Sequence, residues 1–193
     1  SPSIAKVGDD LLVNIRFVNY ALTNDGQFVG PTCGYVYNAN RAVLCDSNFV
    51  VKETLFTHHP DVLEETYDRG LQDVRLWTMS NGSIKFTATS TGLDNSPCVA
   101  MGSYNMPGLS SAAGITRHGQ TCEKNWVHAT DSLLVHSWSP IRIGCIEDKC
   151  FVEKHTINTP FPGYFRNMRG SSHAATLPNG DLLFLTHIVG YCN

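Results

Sequence analysis

Gly70-Leu71-Gln72-Asp73-Val74-Arg75-Leu76-Trp77 is the stretch on which the fold reading turns. Residues two apart on a β-strand share a face, so the carboxylate of Asp73 and the guanidinium of Arg75 are expected to point the same way. Leu71, Val74, Leu76 and Trp77 supply bulk around them. A strand with opposite charges on one face and bulk on the other either lines a polar cavity or carries a local salt bridge on a solvated sheet face. The segments around it favour the cavity.

Four segments share one design. Ser3 to Val7 turns at Gly8-Asp9-Asp10 into Leu11 to Val18, and Gln72 to Thr78 turns at Asn81-Gly82 into Ser83 to Thr89. Asn125 to Ala129 turns at Thr130-Asp131-Ser132 into Leu133 to Trp138, and Ser172 to Leu177 turns at Asn179-Gly180 into Asp181 to Val189. Each is a short strand, a tight polar turn and a longer alternating strand. They recur at roughly the interval of blade-like repeats, with turn-rich stretches between them to supply outer strands. The pattern predicts an all-β chain: a β-propeller with about four blades represented, its inner strands lining a central channel. A β-sandwich is the competing architecture, but it lacks this recurrence of one hairpin type. Helical periodicity is confined to Pro60 to Asp68, where Val62, Leu63 and Tyr67 share one face.

Composition agrees. The 193 residues are 42% hydrophobic and only 16% charged, with 16 Gly and 9 Pro, which suits an ordered, turn-rich β chain of one domain spanning 1–193. Fourteen Lys and Arg against 17 Asp and Glu give a net charge of −3, with the basic residues scattered singly, so no stripe offers itself to nucleic acid. No apolar run approaches the length of a membrane span. The chain begins with Ser and shows no signal-peptide pattern, which reads as a processed product or a fragment.

The seven cysteines form no Cys-x-x-Cys pair, against a zinc ribbon. Cys145 and Cys150 flank the polar Ile146-Glu147-Asp148-Lys149 and read equally as a bridge across a hairpin neck or as two buried thiols. A bridge would favour an extracellular or particle-associated setting. Asn81-Gly82-Ser83 is a glycosylation sequon that reads better as a tight turn. No His/Cys/carboxylate grouping has metal-ligand spacing, so no catalytic metal is expected, and neither a P-loop nor a nucleophile elbow is present.

The octet resembles the Gly-x-Glu-Asp-x-Arg signature of five-bladed propellers related to mannoside phosphorylases and other glycoside hydrolases. Further segments are similar to the same group: Ser1 to Ile4 with Asn14 to Tyr20, Glu123-Lys124-Asn125-Trp126, Trp138-Ser139-Pro140, and Arg169-Gly170-Ser171-Ser172 followed by Leu185-Thr186-His187. The matches keep a consistent order along nearly the whole chain. They most resemble a branch usually labelled only as glycosyltransferase or hydrolase. Two departures stand out: Gln72 replaces the signature glutamate, and four inner hairpins stand where the family fold has five. The last blade is then either missing from this chain or supplied by a protein partner.

What the resemblance implies is a carbohydrate site in the channel with Asp73 as the proton-transferring group. A glycosidic oxygen leaves readily only when protonated, and inverting hydrolysis needs a second carboxylate to activate water. Arg75, Lys124, Arg169, His173 and His187 lie on or beside the inner strands, whereas few acids do. That balance points to an anionic group, with inorganic phosphate or a nucleotide-sugar as co-substrate and no other cofactor. Arg16, Asn19, Asn125 and Ser172 complete the expected substrate-binding set. Arg16 and Arg75 read equally as members of a structural network around Asp73, Trp126 and Trp138 as core, and His58-His59 as a loop without a role. The alternative function is a non-catalytic glycan-binding or structural propeller module of a larger assembly.

Overall fold

The computed structural model describes residues 2–25, 27–32, 34–57, 68–91, 96–105, 108–115, 124–160 and 162–188. Nearly all the structure is antiparallel β. The first sheet takes β1 (Ser3–Val7) and β2 (Asp10–Val18). After a small ribbon of β3 (Ala21–Leu22) and β4 (Phe28–Val29), it adds β5 (Val36–Cys45) and β6 (Val51–Thr57). A two-residue strand, β7 (Asp68–Arg69), pairs in parallel with the start of β5. The second sheet is the meander β8 (Gln72–Thr78), β9 (Ile84–Thr91), β10 (Pro97–Asn105) and β11 (Gly108–Ile115). The third is β12 (Val127–His128), β13 (Leu134–Trp138), β14 (Ile141–Glu147) and β15 (Cys150–Ile157). A single turn of helix, α1 (Pro162–Phe165), leads into β16 (Met168–Gly170), β17 (Ala175–Thr176), β18 (Leu182–Leu183) and β19 (Thr186–Ile188). The expected helix at Pro60 to Asp68 and the His58-His59 pair lie outside the described residues, save Asp68 in β7.

All four expected hairpins are present. Val7 pairs with Asp10 across Gly8-Asp9, with Gly8 at φ 59°. The turns at 79–83 and 177–181 share one hydrogen-bond pattern. Met79 N donates to Ser83 O at 2.8 Å and Leu177 N to Asp181 O at 2.8 Å, and Asn81 and Asn179 each accept from the backbone two residues on through Oδ1. Asx turns with glycine at positive φ account for both. The sequon thus sits in a turn. The fourth hairpin departs from the expected continuous strand pair. Met168 pairs with Ile188 and Thr176 with Leu182, eight steps on one arm against six on the other, so two additional residues bulge out within 171–174.

Apolar clusters fill the space between successive sheets. Leu12, Ala42 and Leu55 of the first sheet meet Leu76, Ile84, Phe86 and Ala88 of the second. Val99 of the second meets Trp126, Leu134 and Phe151 of the third region. Val127, Val135 and Trp138 meet Met168 and Phe184 of the last hairpin. The central strand β9 is buried on both faces: Phe86 packs toward the first sheet, while the Thr87 hydroxyl donates to Trp126 O at 3.2 Å on the other side. Trp126 and Trp138 are core residues, as expected.

The Cys145–Cys150 bridge does not form, and the thiols are not buried either: Cys145 is half-buried and Cys150 exposed. The turn is two residues, Asp148-Lys149, both at positive φ (50° and 63°), so Glu147 pairs with Cys150 and Cys145 with Val152. The tight turn offsets the sulfurs along the strands, and Cys145 Sγ donates to Glu147 Oε1 at 3.1 Å.

Gly70 sets the entry to β8. Its φ is 85°, and a Cβ there would lie 2.2 Å from the Asn38 carbonyl oxygen. Replacing Gly70 by Ala should therefore cost about 3 kcal/mol through backbone strain and the displaced β5 strand. Urea unfolding checks this, and an unchanged midpoint would contradict the close approach.

Candidate functional site

The starts of the first strands converge on one cavity of about 620 Å3. Pro2 precedes β1, Gln72 to Arg75 open β8, Lys124 and Asn125 precede β12, and Arg169, Ser171 and His187 come from the last hairpin. Of the expected residues, Asp73, Arg75, Lys124, Asn125, Arg169 and His187 line it. Arg16, Asn19, Ser172 and His173 are not among its lining residues.

Asp73 and Arg75 do not pair through their side chains as simple alternation suggests. The β8–β9 register shifts between Gln72 and Arg75, and Asp73 sits at φ 49°, so Val74, Arg75 and Leu76 are buried in succession. This bulge turns the Asp73 carboxylate to Arg16, whose Nη1 donates to Oδ1 at 2.9 Å. Arg75 instead donates Nη1 to the Asp73 carbonyl at 3.2 Å, Nη2 to Asn125 Oδ1 at 2.7 Å and Nε to the Ser171 carbonyl at 3.3 Å. The Arg75 residue is 8% exposed. Burial pushes its pKa below the usual value, with nearby Asp73 opposing the shift. Three hydrogen bonds to neutral oxygens hold the charge in place.

Arg16 is spent behind the cavity wall. Besides Asp73, its Nε and Nη2 donate to Asn38 Oδ1 at 2.9 and 2.6 Å, and Nη2 to the Tyr20 hydroxyl at 3.2 Å. Beneath it, Asn14 Nδ2 donates to Asn40 Oδ1 at 3.0 Å and Asn40 Nδ2 to the Leu71 carbonyl at 2.8 Å. Asn14, Asn38 and Asn40 are buried, and this supporting layer was not anticipated. Its signal is the pair Asn38-x-Asn40 at period two on the inward face of β5, a place where apolar residues are the rule.

The other assignments sort by geometry. Asn19 accepts from Tyr37 N at 2.7 Å and donates to the Tyr35 carbonyl at 3.1 Å, clamping the entry to β5. Ser172 Oγ accepts from Leu185 N at 2.9 Å within the bulged hairpin. His173 is buried: its Nδ1 accepts from His128 N at 2.7 Å and its Nε2–H donates to the Arg75 carbonyl at 3.0 Å. Both ring nitrogens are used on backbone, so the bulge at 171–174 turns His173 from the expected ligand into a bolt joining β8 and β12. His187 remains at the surface, within 2.7 Å of Ser171 Oγ through Nδ1. Lys124 is exposed at the cavity mouth.

Among the described lining residues Asp73 is the sole carboxylate, and Arg75, Lys124, Arg169 and His187 line the same cavity. The cavity is therefore basic although the chain is net negative. Among the described residues, no group of three or more His, Cys, Asp or Glu could hold a metal ion, and no helix is long and apolar enough to cross a membrane. No protein-family model and no curated protein matches this chain.

The buried histidines make stability pH-dependent. Burial depresses His173 to about 3, helped by neighbouring His128 and opposed by its hydrogen bond to the Arg75 carbonyl, and burial depresses His128 to about 4. Folded values below the unfolded 6.5 mean that the unfolded chain takes up protons first, so stability is complete above pH 6.5 and falls as pH drops toward 4. The slope is about 1.4 kcal/mol per pH unit for each histidine. Unfolding titrations across this window should be shallower for His173→Gln than for the parent, and equal slopes would refute the assignment.

Proposed function

We propose that the chain is a β-propeller of the five-bladed type, with about four blades represented, that acts on carbohydrate at the cavity of Asp73. The propeller reading is supported by the successive meanders, by the apolar clusters between neighbouring sheets, and by first strands whose starts meet at one cavity. A protein partner or further segment would complete the ring.

The observation that carries the function is that, among the described lining residues, one carboxylate is set among three cations and a histidine. Bond cleavage asks for a proton on the departing glycosidic oxygen, which Asp73 would relay from hydrogen phosphate, returning to the carboxylate that Arg16 holds. Inverting hydrolysis would ask for a second carboxylate, and the lining residues supply Arg75, Lys124 and Arg169 in its place. An anionic reactant such as inorganic phosphate fits that set: a phosphate oxygen attacks the anomeric carbon as the protonated oxygen leaves. Arg16 holds one oxygen of the Asp73 carboxylate, and Arg75, itself pinned by Asn125 and Ser171, holds the backbone that carries it.

A second reading is a glycan-binding module without chemistry. It is favoured by the ion pair between Asp73 and Arg16, whose side chain is only 10% exposed, and by Gln72 in the position of a signature glutamate.

The two readings separate in one assay, the release of sugar or sugar phosphate from manno-oligosaccharides with and without added phosphate. Turnover that requires phosphate and falls about 100-fold or more in Asp73→Asn is the expected result. Turnover unaffected by that substitution would remove Asp73 from the reaction. Calorimetric binding of the oligosaccharide without turnover would establish the second reading.

A further inference from the structure

A second cavity, of about 390 Å3, adjoins the first and shares Lys124, Asn125 and Arg169 with it. It lies between β13–β14 of the third sheet and the segment running from α1 into β16, and adds Trp138, Arg142 and Arg166 to its lining. Its size falls within the range of small-molecule sites. Trp138 gives it a firm wall, since that ring packs edge-on against Phe184 with centroids 5.3 Å apart.

The charge of this cavity is one-sided. Among the described residues, Lys124, Arg142, Arg166 and Arg169 line it and no carboxylate does. One acid stands nearby: Glu153 Oε2 is 3.6 Å from Arg142 Nε, with both side chains more than a third exposed. So long and exposed a pair is weak and yields readily to a better anion. Among the described residues four cations thus stand against that one weakly held carboxylate, on a chain whose net charge is −3. Clustered guanidinium groups in a concavity suit phosphate oxygens, which they engage in paired hydrogen bonds. A single phosphate would satisfy only part of this set. The cations run from Arg142 and Arg166 to Lys124 and Arg169 on the boundary with the first cavity, so the complementary group is a short polyanion rather than a point charge. The concave form and the scatter of other basic residues favour a small ligand over a nucleic-acid strand.

We propose that this second cavity binds the diphosphate group of an activated glycosyl compound, with Lys124 and Arg169 directing the attached sugar into the cavity of Asp73. The assignment of the sugar end rests on the carbohydrate reading above; the anion site stands on its own residues. Arg142 and Arg166 are the specificity-determining pair, because they line the second cavity and not the first.

Isothermal titration of the full chain with inorganic pyrophosphate at low salt tests the site. Arg166→Ala and Arg142→Gln should each weaken binding about tenfold. Rising ionic strength should weaken binding, and sulfate should compete poorly. The proposal is overturned by absence of pyrophosphate binding at millimolar concentration, by equal affinity for sulfate, or by insensitivity to both arginine substitutions. Loss of binding in Arg75→Lys with none in the Arg142 and Arg166 variants would place the anion in the first cavity and overturn it as well. A parallel titration with manno-oligosaccharide isolates the other premise. Arginine-dependent pyrophosphate binding without any sugar binding supports the anion site and counts only against the carbohydrate reading.

Discussion

The buried guanidinium of Arg75 is the constraint around which this structure is arranged. Arginine does not give up its charge inside a protein, so a buried one must be met by hydrogen bonds or it costs several kcal/mol. Arg75 meets that demand with oxygens from three places: its own strand at Asp73, the approach to β12 at Asn125, and the last hairpin at Ser171. Its carbonyl in turn accepts from His173, whose other nitrogen accepts from His128 N. One residue thereby ties the second sheet to the third and to the final hairpin. The Arg16–Asp73 ion pair adds the first sheet to the same knot.

This knot determines which charges face the cavity and which are structural. Arg16 and His173 are consumed in holding strands together, with every polar ring atom of His173 engaged by backbone. Lys124 and His187 are exposed and Arg169 is half-buried, on segments that the knot positions but does not fill. A fixed inner wall with more accessible cations around it suits a ligand with a negative end. Local concentration of positive charge in a concavity acts on such ligands regardless of the negative net charge of the chain.

Much of the architecture was legible because hairpins are local. Gly8-Asp9, Asn81-Gly82 and Asn179-Gly180 specify turns through positive-φ glycines and Asx hydrogen bonds, and those interactions span only a few residues. The octet was read correctly as a strand bordering a polar cavity. Its internal geometry was not, because strict alternation fails at the bulge of Asp73. That bulge is stabilised by Arg16, 57 residues earlier, and by the close approach of Gly70 to Asn38. Cys145 and Cys150 misled for a related reason: a two-residue turn, rather than a four-residue tip, sets which strand positions face each other.

By itself the sequence determined the all-β class and the four hairpins. Turn chemistry and period-two patterning are written into adjacent residues, so they survive without knowledge of the rest. Tertiary structure alone decided that Asp73 pairs with Arg16 rather than Arg75 and that His173 is a buried bolt. It also brought Arg142 and Arg166 beside Lys124 and Arg169. Each of these depends on where distant strands come to lie, and a side chain's partner is set by that placement rather than by its neighbours in sequence.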